Sequence, residues 1–328
     1  MKPRVLVTRA NFPEVLEFLR AHFEVEDNQA DEALTPEVLR ERLSDKDGVL
    51  TLPIDRVDTE LLQACPRLKA VCNIAVGYNN IDVAACTAHG VMATNTPDVL
   101  TETTADFGMA LMLAAARRMG EAERHLRAGL WQGWAIDQFL GMDVNGASLG
   151  IIGMGRIGQA LARRARGFGM RIRYHNRRRV AEAIEKELQA EYADLDTLLA
   201  ESDFVVLTLP YSPEAHHLIG AEQLARMKPT AVLVNLARGG VVDDAALAQA
   251  LKAGKLYAAG LDVYEGEPVV HPGLLELENV VLMPHIASAT RATRVRMSMT
   301  AARNLVAALG GEKPPHLLNP EVWDKRRT

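Results

Sequence analysis

Three charged side chains of complementary type stand in short segments that each follow an apolar run. Arg238 lies in Asn235-Leu236-Ala237-Arg238-Gly239-Gly240, Glu267 in Gly260-Leu261-Asp262-Val263-Tyr264-Glu265-Gly266-Glu267-Pro268, and His285 in Met283-Pro284-His285-Ile286-Ala287-Ser288. Reduction of a 2-oxo acid needs a cation to orient the carboxylate and carbonyl, a hydride donor, and an acid to protonate the developing alkoxide. Arg238 suits the clamp and His285 the acid. Glu267 suits a partner that favours the imidazolium and fixes the ring. Singly, each has a plainer explanation: a surface arginine in a glycine turn, one acid among several in a polar loop, a loop histidine bonded to backbone. In order, after successive strands and beyond a nucleotide turn, they point to hydride transfer.

The nucleotide turn is Leu149-Gly150-Ile151-Ile152-Gly153-Met154-Gly155-Arg156-Ile157-Gly158, an apolar run entering G-x-G-x-x-G near the middle of the chain. Gly153 and Gly155 allow a tight turn and close approach of a pyrophosphate. Gly158 lets the following helix pack on its strand, and Arg156 and Ile157 open that helix with its N-terminus facing the anion. Alone the motif is weak; between a strand and the helix-forming run Gln159 to Arg166 it is strong. An enzyme selective for NAD carries an acidic residue about 20 residues further on, where it binds the ribose 2′-hydroxyl and repels a 2′-phosphate. Here the strand ends Tyr174-His175-Asn176-Arg177-Arg178-Arg179, with no acid. Guanidiniums grip a phosphate dianion through charge-assisted bonds, so Arg177 and Arg178, beside Asn176, favour NADP(H), with NAD(H) as the second choice.

Ligands collect at the carboxyl ends of strands in doubly wound sheets, so the elements must supply such strands. Before residue 75, strand-like runs (Val5 to Thr8, Phe23 to Glu26, Val49 to Leu52, Leu68 to Ile74) alternate with amphipathic stretches (Glu14 to Ala21, Pro36 to Leu43, Thr59 to Ala64), the pattern of a parallel sheet covered by helices. After Thr96-Pro97-Asp98, Val99 to Met119 reads as one long helix. Further strands are predicted at Arg171 to Tyr174, Phe204 to Leu209, Ala231 to Leu236, Tyr257 to Leu261 and Val280 to Met283, and a last helix over Ala287 to Leu309. The reading is α/β: two doubly wound parallel-sheet domains, with a Rossmann dinucleotide-binding domain (99–285) inserted in a flavodoxin-like substrate domain (1–98 plus 286–328). Hinges are expected near 97–100 and 285–288.

Composition narrows the partners. The 328 residues are 48% hydrophobic with a net formal charge of −5, which gives no basic field for nucleic acid or an anionic membrane. The N-terminus has no signal-peptide core, and Met109 to Ala116 is too short to span a bilayer, so a cytoplasmic protein is expected. Cys65, Cys72 and Cys86 contain no C-x-x-C pair and read as small buried hydrophobes. The neighbours His216 and His217 would diverge in either a strand or a helix, so they are assigned to local packing and no metal is expected.

The segments G-M-G-R-I-G, N-L-A-R-G-G-V-V-D, A-A-G-L-D-V-Y-E-G-E-P and M-P-H-I-A-S-A-T resemble those of the D-2-hydroxyacid dehydrogenase family over nearly the whole chain. The stretches from Asn95 to Asp106 and from Ala287 to Arg291 are most similar to its glyoxylate/hydroxypyruvate reductase branch, including the bacterial 2-ketogluconate reductase type. The resemblance implies that Arg238, Glu267 and His285 are catalytic and that Asp262 meets the nicotinamide carboxamide. It also implies that Thr104 lies near the nicotinamide and that backbone at Val76 and Gly77 binds the substrate carboxylate. In the segment Leu130-Trp131-Gln132-Gly133-Trp134-Ala135 it implies a homodimer in which Trp134, preferred here over Trp131, reaches the partner's site. The expected activity is NADPH-dependent reduction of glyoxylate, hydroxypyruvate and 2-ketogluconate. The alternatives are an NAD enzyme of D-lactate type and a nucleotide-sensing corepressor on the same fold.

Overall fold

A computed structural model describes residues 2–328, which divide into two units: residues up to Leu100 together with Thr290–Thr328, and Thr101–Ala289. In the first unit, strands β1 (Arg4–Val7), β2 (Glu24–Asp27), β3 (Gly48–Thr51), β4 (Ala70–Asn73) and β5 (Met92–Thr94) form a parallel sheet in the order β2-β1-β3-β4-β5. That order is flavodoxin-like. Successive strand residues point to opposite faces, so Val5, Leu50 and Cys72 pack with Leu305 of the helix Arg291–Leu309, while Leu6, Val49 and Val71 pack against Leu39 and Leu62.

The second unit holds seven parallel strands: β6 (Ser148–Ile152), β7 (Arg171–His175), β8 (Ala190–Tyr192), β9 (Phe204–Leu207), β10 (Val232–Asn235), β11 (Ala258–Leu261) and β12 (Val280–Leu282). Their order is β12-β11-β10-β9-β6-β7-β8. Read from β8, it is the Rossmann order with a seventh strand added, and the direction of winding reverses between β6 and β9. Its central strands β6, β9, β10 and β11 are buried on both faces, which is why they are continuously apolar, whereas β7 and β8 toward one edge carry Arg171, Arg173 and Glu191. Leu149, Ile151, Phe204 and Val206 face one core; Ile152, Val205 and Leu207 face the other. Burial of each large side chain contributes about 1.5–3 kcal/mol.

Two helical readings need correction. Val99 to Met119 is not one helix: Thr101–Ala116 ends, Arg118 takes a left-handed φ of +52°, and a second helix runs Met119–Arg127. Arg118 is held in that corner by its bidentate bonds to Glu121, both 2.7 Å. The final helix begins at Arg291 rather than Ala287, capped by Thr290, whose hydroxyl accepts from the N–H of Thr293. Residues 286 and 287 are withheld from it by Asp262, as described below. The three cysteines are buried free thiols, and burial pushes those of Cys72 and Cys86 up to about 12. Among the described residues no helix is long and apolar enough to cross a membrane.

Candidate active site

The glycine turn follows β6 at the point where the winding of the sheet reverses. Gly153 has φ +105°, and a Cβ there would lie 2.6 Å from the backbone N of Leu209; a Cβ on Gly158 would lie 2.3 Å from the carbonyl oxygen of Gly153. Only glycine permits this closeness of strand, turn and helix. Gly155, the N-cap of the helix Arg156–Arg166, has no heavy atom within 4 Å of where a Cβ would stand. The turn therefore opens outward over a helix N-terminus, the arrangement a pyrophosphate requires. Two side chains hold its shape: Thr208 Oγ1 donates to the Gly153 carbonyl (2.7 Å), and Asn176 Oδ1 accepts from the Met154 N–H (2.7 Å).

Beyond Asn176 the three arginines separate in role. Arg179 donates two bonds, of 2.6 and 2.8 Å, to Glu185, which also accepts from Tyr174 at 2.5 Å. Arg179 and then Tyr174 hold the Glu185 carboxyl down at about 2, while burial pushes the Tyr174 phenol up to about 12. Arg177 and Arg178 are exposed. Thr104 is buried, and its hydroxyl has no hydrogen-bond partner in the protein. These residues fit a dinucleotide: an open glycine turn, a helix N-terminus, two exposed guanidiniums and a buried orphan hydroxyl.

Three loops after β10, β11 and β12 carry the charged trio. After β10, Asn235 Oδ1 accepts from Ala237 N–H (3.0 Å), and Arg238 folds back so that its Nη1 donates to the Ala237 carbonyl (2.7 Å). A Cβ on Gly239 would stand 1.6 Å from the carbonyl oxygen of Tyr264, so glycine there lets this loop dock on the next. Arg238 is half-buried; desolvation pulls its pKa below the ordinary guanidinium value while the charge of Glu267 opposes that pull. It stays cationic.

After β11, Glu267 Oε1 accepts from the N–H of Tyr264 (2.9 Å), and Oε2 lies 2.8 Å from His285 Nδ1. Burial works to raise the Glu267 carboxyl, but the bond and charge of His285 outweigh it and leave the pKa below the usual value. An ionised carboxylate can only accept, so Nδ1 of His285 carries the proton of this bond.

His285 itself has φ +52°, a left-handed conformation that a non-glycine residue holds only under constraint. The constraint is Asp262. Its Oδ1 accepts from Ile286 N–H (2.7 Å) and its Oδ2 from Ala287 N–H (2.9 Å), and the residue is 1% exposed. Tyr264 adds a second tie, its hydroxyl 2.9 Å from the Met283 carbonyl. The sequence does not reveal these anchors, because an acid five residues before Glu267 carries no local mark of gripping a backbone 24 residues away.

The structure thus brings Arg238, Glu267, His285 and Asp262 onto adjoining loops of one sheet. Val76 and Gly77 belong to the first unit, where Asn95 Nδ2 donates to the Val76 carbonyl and Asn73 Nδ2 to that of Gly77. Trp131 and Trp134 are exposed at 54% and 81%, in a segment with no helix or strand. His216 and His217 depart from expectation. Instead of diverging, their rings stack with centroids 4.0 Å apart, since His217 has φ +50° and belongs to neither helix nor strand.

A Rossmann sheet with an open glycine turn, and an acid–histidine pair beside an arginine at the carboxyl ends of its strands, define a nicotinamide-dependent oxidoreductase. Residues 109–287 match the family "D-isomer specific 2-hydroxyacid dehydrogenase, NAD binding domain". The chain is 52% identical to the glyoxylate reductase of Thermococcus onnurineus, over 100% of this chain and 99% of that protein. Among solved structures it is similar to a glyoxylate reductase from Paecilomyes thermophila (36% identity, TM-score 0.86, covering 98% of this chain and 99% of that one). It is also similar to the NADPH-dependent glyoxylate/hydroxypyruvate reductase of Sinorhizobium meliloti in complex with NADP and malonate (34% identity, TM-score 0.85, covering 100% and 99%). The chain belongs to the D-isomer-specific 2-hydroxyacid dehydrogenase family and is an NAD(P)-dependent oxidoreductase.

Proposed function

We propose that this enzyme reduces small 2-oxo acids, glyoxylate and hydroxypyruvate foremost and 2-ketogluconate besides, to D-2-hydroxy acids, with NADPH as the preferred donor. The observation that carries the reading is the pairing of His285 Nδ1 with Glu267 Oε2 at 2.8 Å, on the loop next to a half-buried arginine. Relatives named glyoxylate reductase at 52% identity support the substrate class.

In this reading Arg238 binds and orients the substrate carboxylate and polarises the carbonyl. His285 gives the proton on Nε2 to the carbonyl oxygen as its carbon is reduced, and Glu267 steadies the ring in the tautomer this needs. Bound reduced nicotinamide supplies the hydride. Gly153, Gly155, Arg156, Ile157 and Gly158 would hold its pyrophosphate, Thr104 and Asp262 would serve its nicotinamide end, and Arg177 and Arg178, beside Asn176, would hold a 2′-phosphate. The backbone of Val76 and Gly77 binds the substrate carboxylate. In the reverse direction neutral His285 accepts the alcohol proton.

The enzyme works as a homodimer through the arm that carries Leu130, Trp131, Trp134 and Ile136, with Trp134 reaching the partner's pocket. Support for this comes from the four exposed apolar side chains that fall within seven residues of one another.

The test is steady-state oxidation of NADPH and of NADH with glyoxylate, hydroxypyruvate, 2-ketogluconate and pyruvate. Fast NADPH turnover on glyoxylate or hydroxypyruvate is expected. A preference for NADH would make Arg177 and Arg178 surface charge, and silence with all four acids would overturn the enzymatic reading in favour of nucleotide sensing.

A further inference from the structure

The convergence of His216 and His217 creates a cluster that the reaction does not use. Glu265, on the loop after β11, closes a triangle with the two rings: its Oε2 is 2.9 Å from His217 Nε2 and its Oε1 4.0 Å from His216 Nε2. One ligand atom from each residue falls within 4.8 Å of the others. Oxygen atoms also stand near the far ring nitrogens. The Tyr211 hydroxyl lies 3.3 Å from Nδ1 of His216, and Asp243 Oδ2 lies 3.8 Å from Nδ1 of His217. Without a cation, Nε2 of His217 donates to the Glu265 carboxylate, and a bound cation takes the place of that proton. The oxygens near the two Nδ1 atoms are outer groups of the kind that support metal-binding imidazoles.

All three side chains are roughly two-fifths exposed, and the backbone N–H of His217 donates to the Gly240 carbonyl at 2.7 Å, which fixes the left-handed turn that presents both rings side by side. Two imidazole nitrogens and one carboxylate match borderline divalent cations such as Zn²⁺ better than Mg²⁺ or Ca²⁺, which prefer all-oxygen shells. The exposure provides an entry path and room for a water as fourth ligand.

We propose that His216, His217 and Glu265 form a binding site for a zinc-like divalent cation, through both Nε2 atoms and the Glu265 carboxylate. The site spans two segments, the turn after Pro213 and the loop that bears Glu267 two residues beyond Glu265. The backbone of Glu265 is also tied to Asp244 Oδ2 at 3.0 Å. A bound cation joins these segments, so it stabilises the folded chain by mass action. The site stands independently of the reaction proposed above.

Equilibrium dialysis of the full chain against ZnCl₂, with metal analysis, tests it. One zinc per chain is expected for the unaltered protein and for H285Q, which separates this site from the catalytic histidine. H216A, E265Q and H217N each weaken binding at least about tenfold; Asn at 217 is chosen because it tolerates left-handed backbone. As a second measurement, Co²⁺ gives the strong visible absorption of four-coordinate cobalt with the unaltered chain and not with E265Q. The proposal is overturned if the unaltered protein retains no zinc above the dialysis blank, or if H216A/H217N retains as much as the unaltered chain.

Discussion

Nδ1 of His285 and Oε2 of Glu267 lie 2.8 Å apart, and the other oxygen of the same carboxylate is fixed by the N–H of Tyr264 at 2.9 Å. The glutamate is thus anchored before it orients the ring, and His285 is anchored from below by Asp262 through the next two backbone amides. Ring, partner and backbone are set in place before substrate arrives, so little reorganisation is left for the chemical step.

Replacing Glu267 by Gln keeps the shape but removes the charge that makes Nδ1 the protonated atom. We expect kcat for hydroxypyruvate reduction to fall on the order of 10²-fold, as when a general acid loses its orienting partner. The KM for NADPH stays near that of the unaltered enzyme. Unchanged kcat would reduce Glu267 to a loop acid.

Of the three arginines after Asn176, only Arg179 is committed to an internal partner, Glu185. Arg177→Ala together with Arg178→Ala should raise the KM for NADPH by about 10- to 100-fold, the worth of one or two charge-assisted bonds, with NADH kinetics unaffected. Equal effects on both cofactors would show that the pair does not read a 2′-phosphate.

Glu185 sits at about 2 because Arg179 and Tyr174 bond its ionised form, against an ordinary value of 4.5. A carboxyl depressed in the folded state contributes stability above its unfolded value, and that contribution is lost as pH falls toward the folded value. The melting temperature of Glu185→Gln should lie below that of the unaltered chain at pH 6, with the gap closing as pH falls from about 4.5 to about 2. A gap independent of pH would mean that packing, not charge, is what the substitution disturbs.

Trp134 and Ile136 are each 81% exposed, and Leu130 and Leu140 are also bare. Sedimentation should give twice the 35.9 kDa chain mass, and Trp134→Ser with Ile136→Ser should shift the species toward the monomer. A single-chain mass for the unaltered protein would remove the dimer, and Trp134's role with it.

Much of the fold was legible because both sheets are parallel and buried, so strands such as Phe204–Leu207 and Val232–Asn235 read as apolar runs. The edge strand Ala190–Tyr192 was not legible: it is three residues long, and its Glu191 and Tyr192 are exposed. The corner at Arg118 was hidden because no Gly or Pro stands at the residue that turns; a side-chain bond to Glu121 holds it. In the site, residue type and order pointed to Arg238, Glu267 and His285, since hydride chemistry needs a cation and an acid. What sequence could not supply were contacts between distant loops: Asp262 gripping residues 286 and 287, Gly239 set against Tyr264, and the left-handed turn that stacks His217 on His216. Such contacts depend on which loops the sheet order makes neighbours, and no local pattern encodes that.

The account turns on His285 as the proton donor, and the most direct test is the single-turnover rate of NADPH oxidation with saturating hydroxypyruvate in the unaltered enzyme and in His285→Gln. The account predicts a rate lower by about 10²- to 10⁴-fold, the range for a general acid, with NADPH affinity retained. A near-unaltered rate in His285→Gln would contradict it.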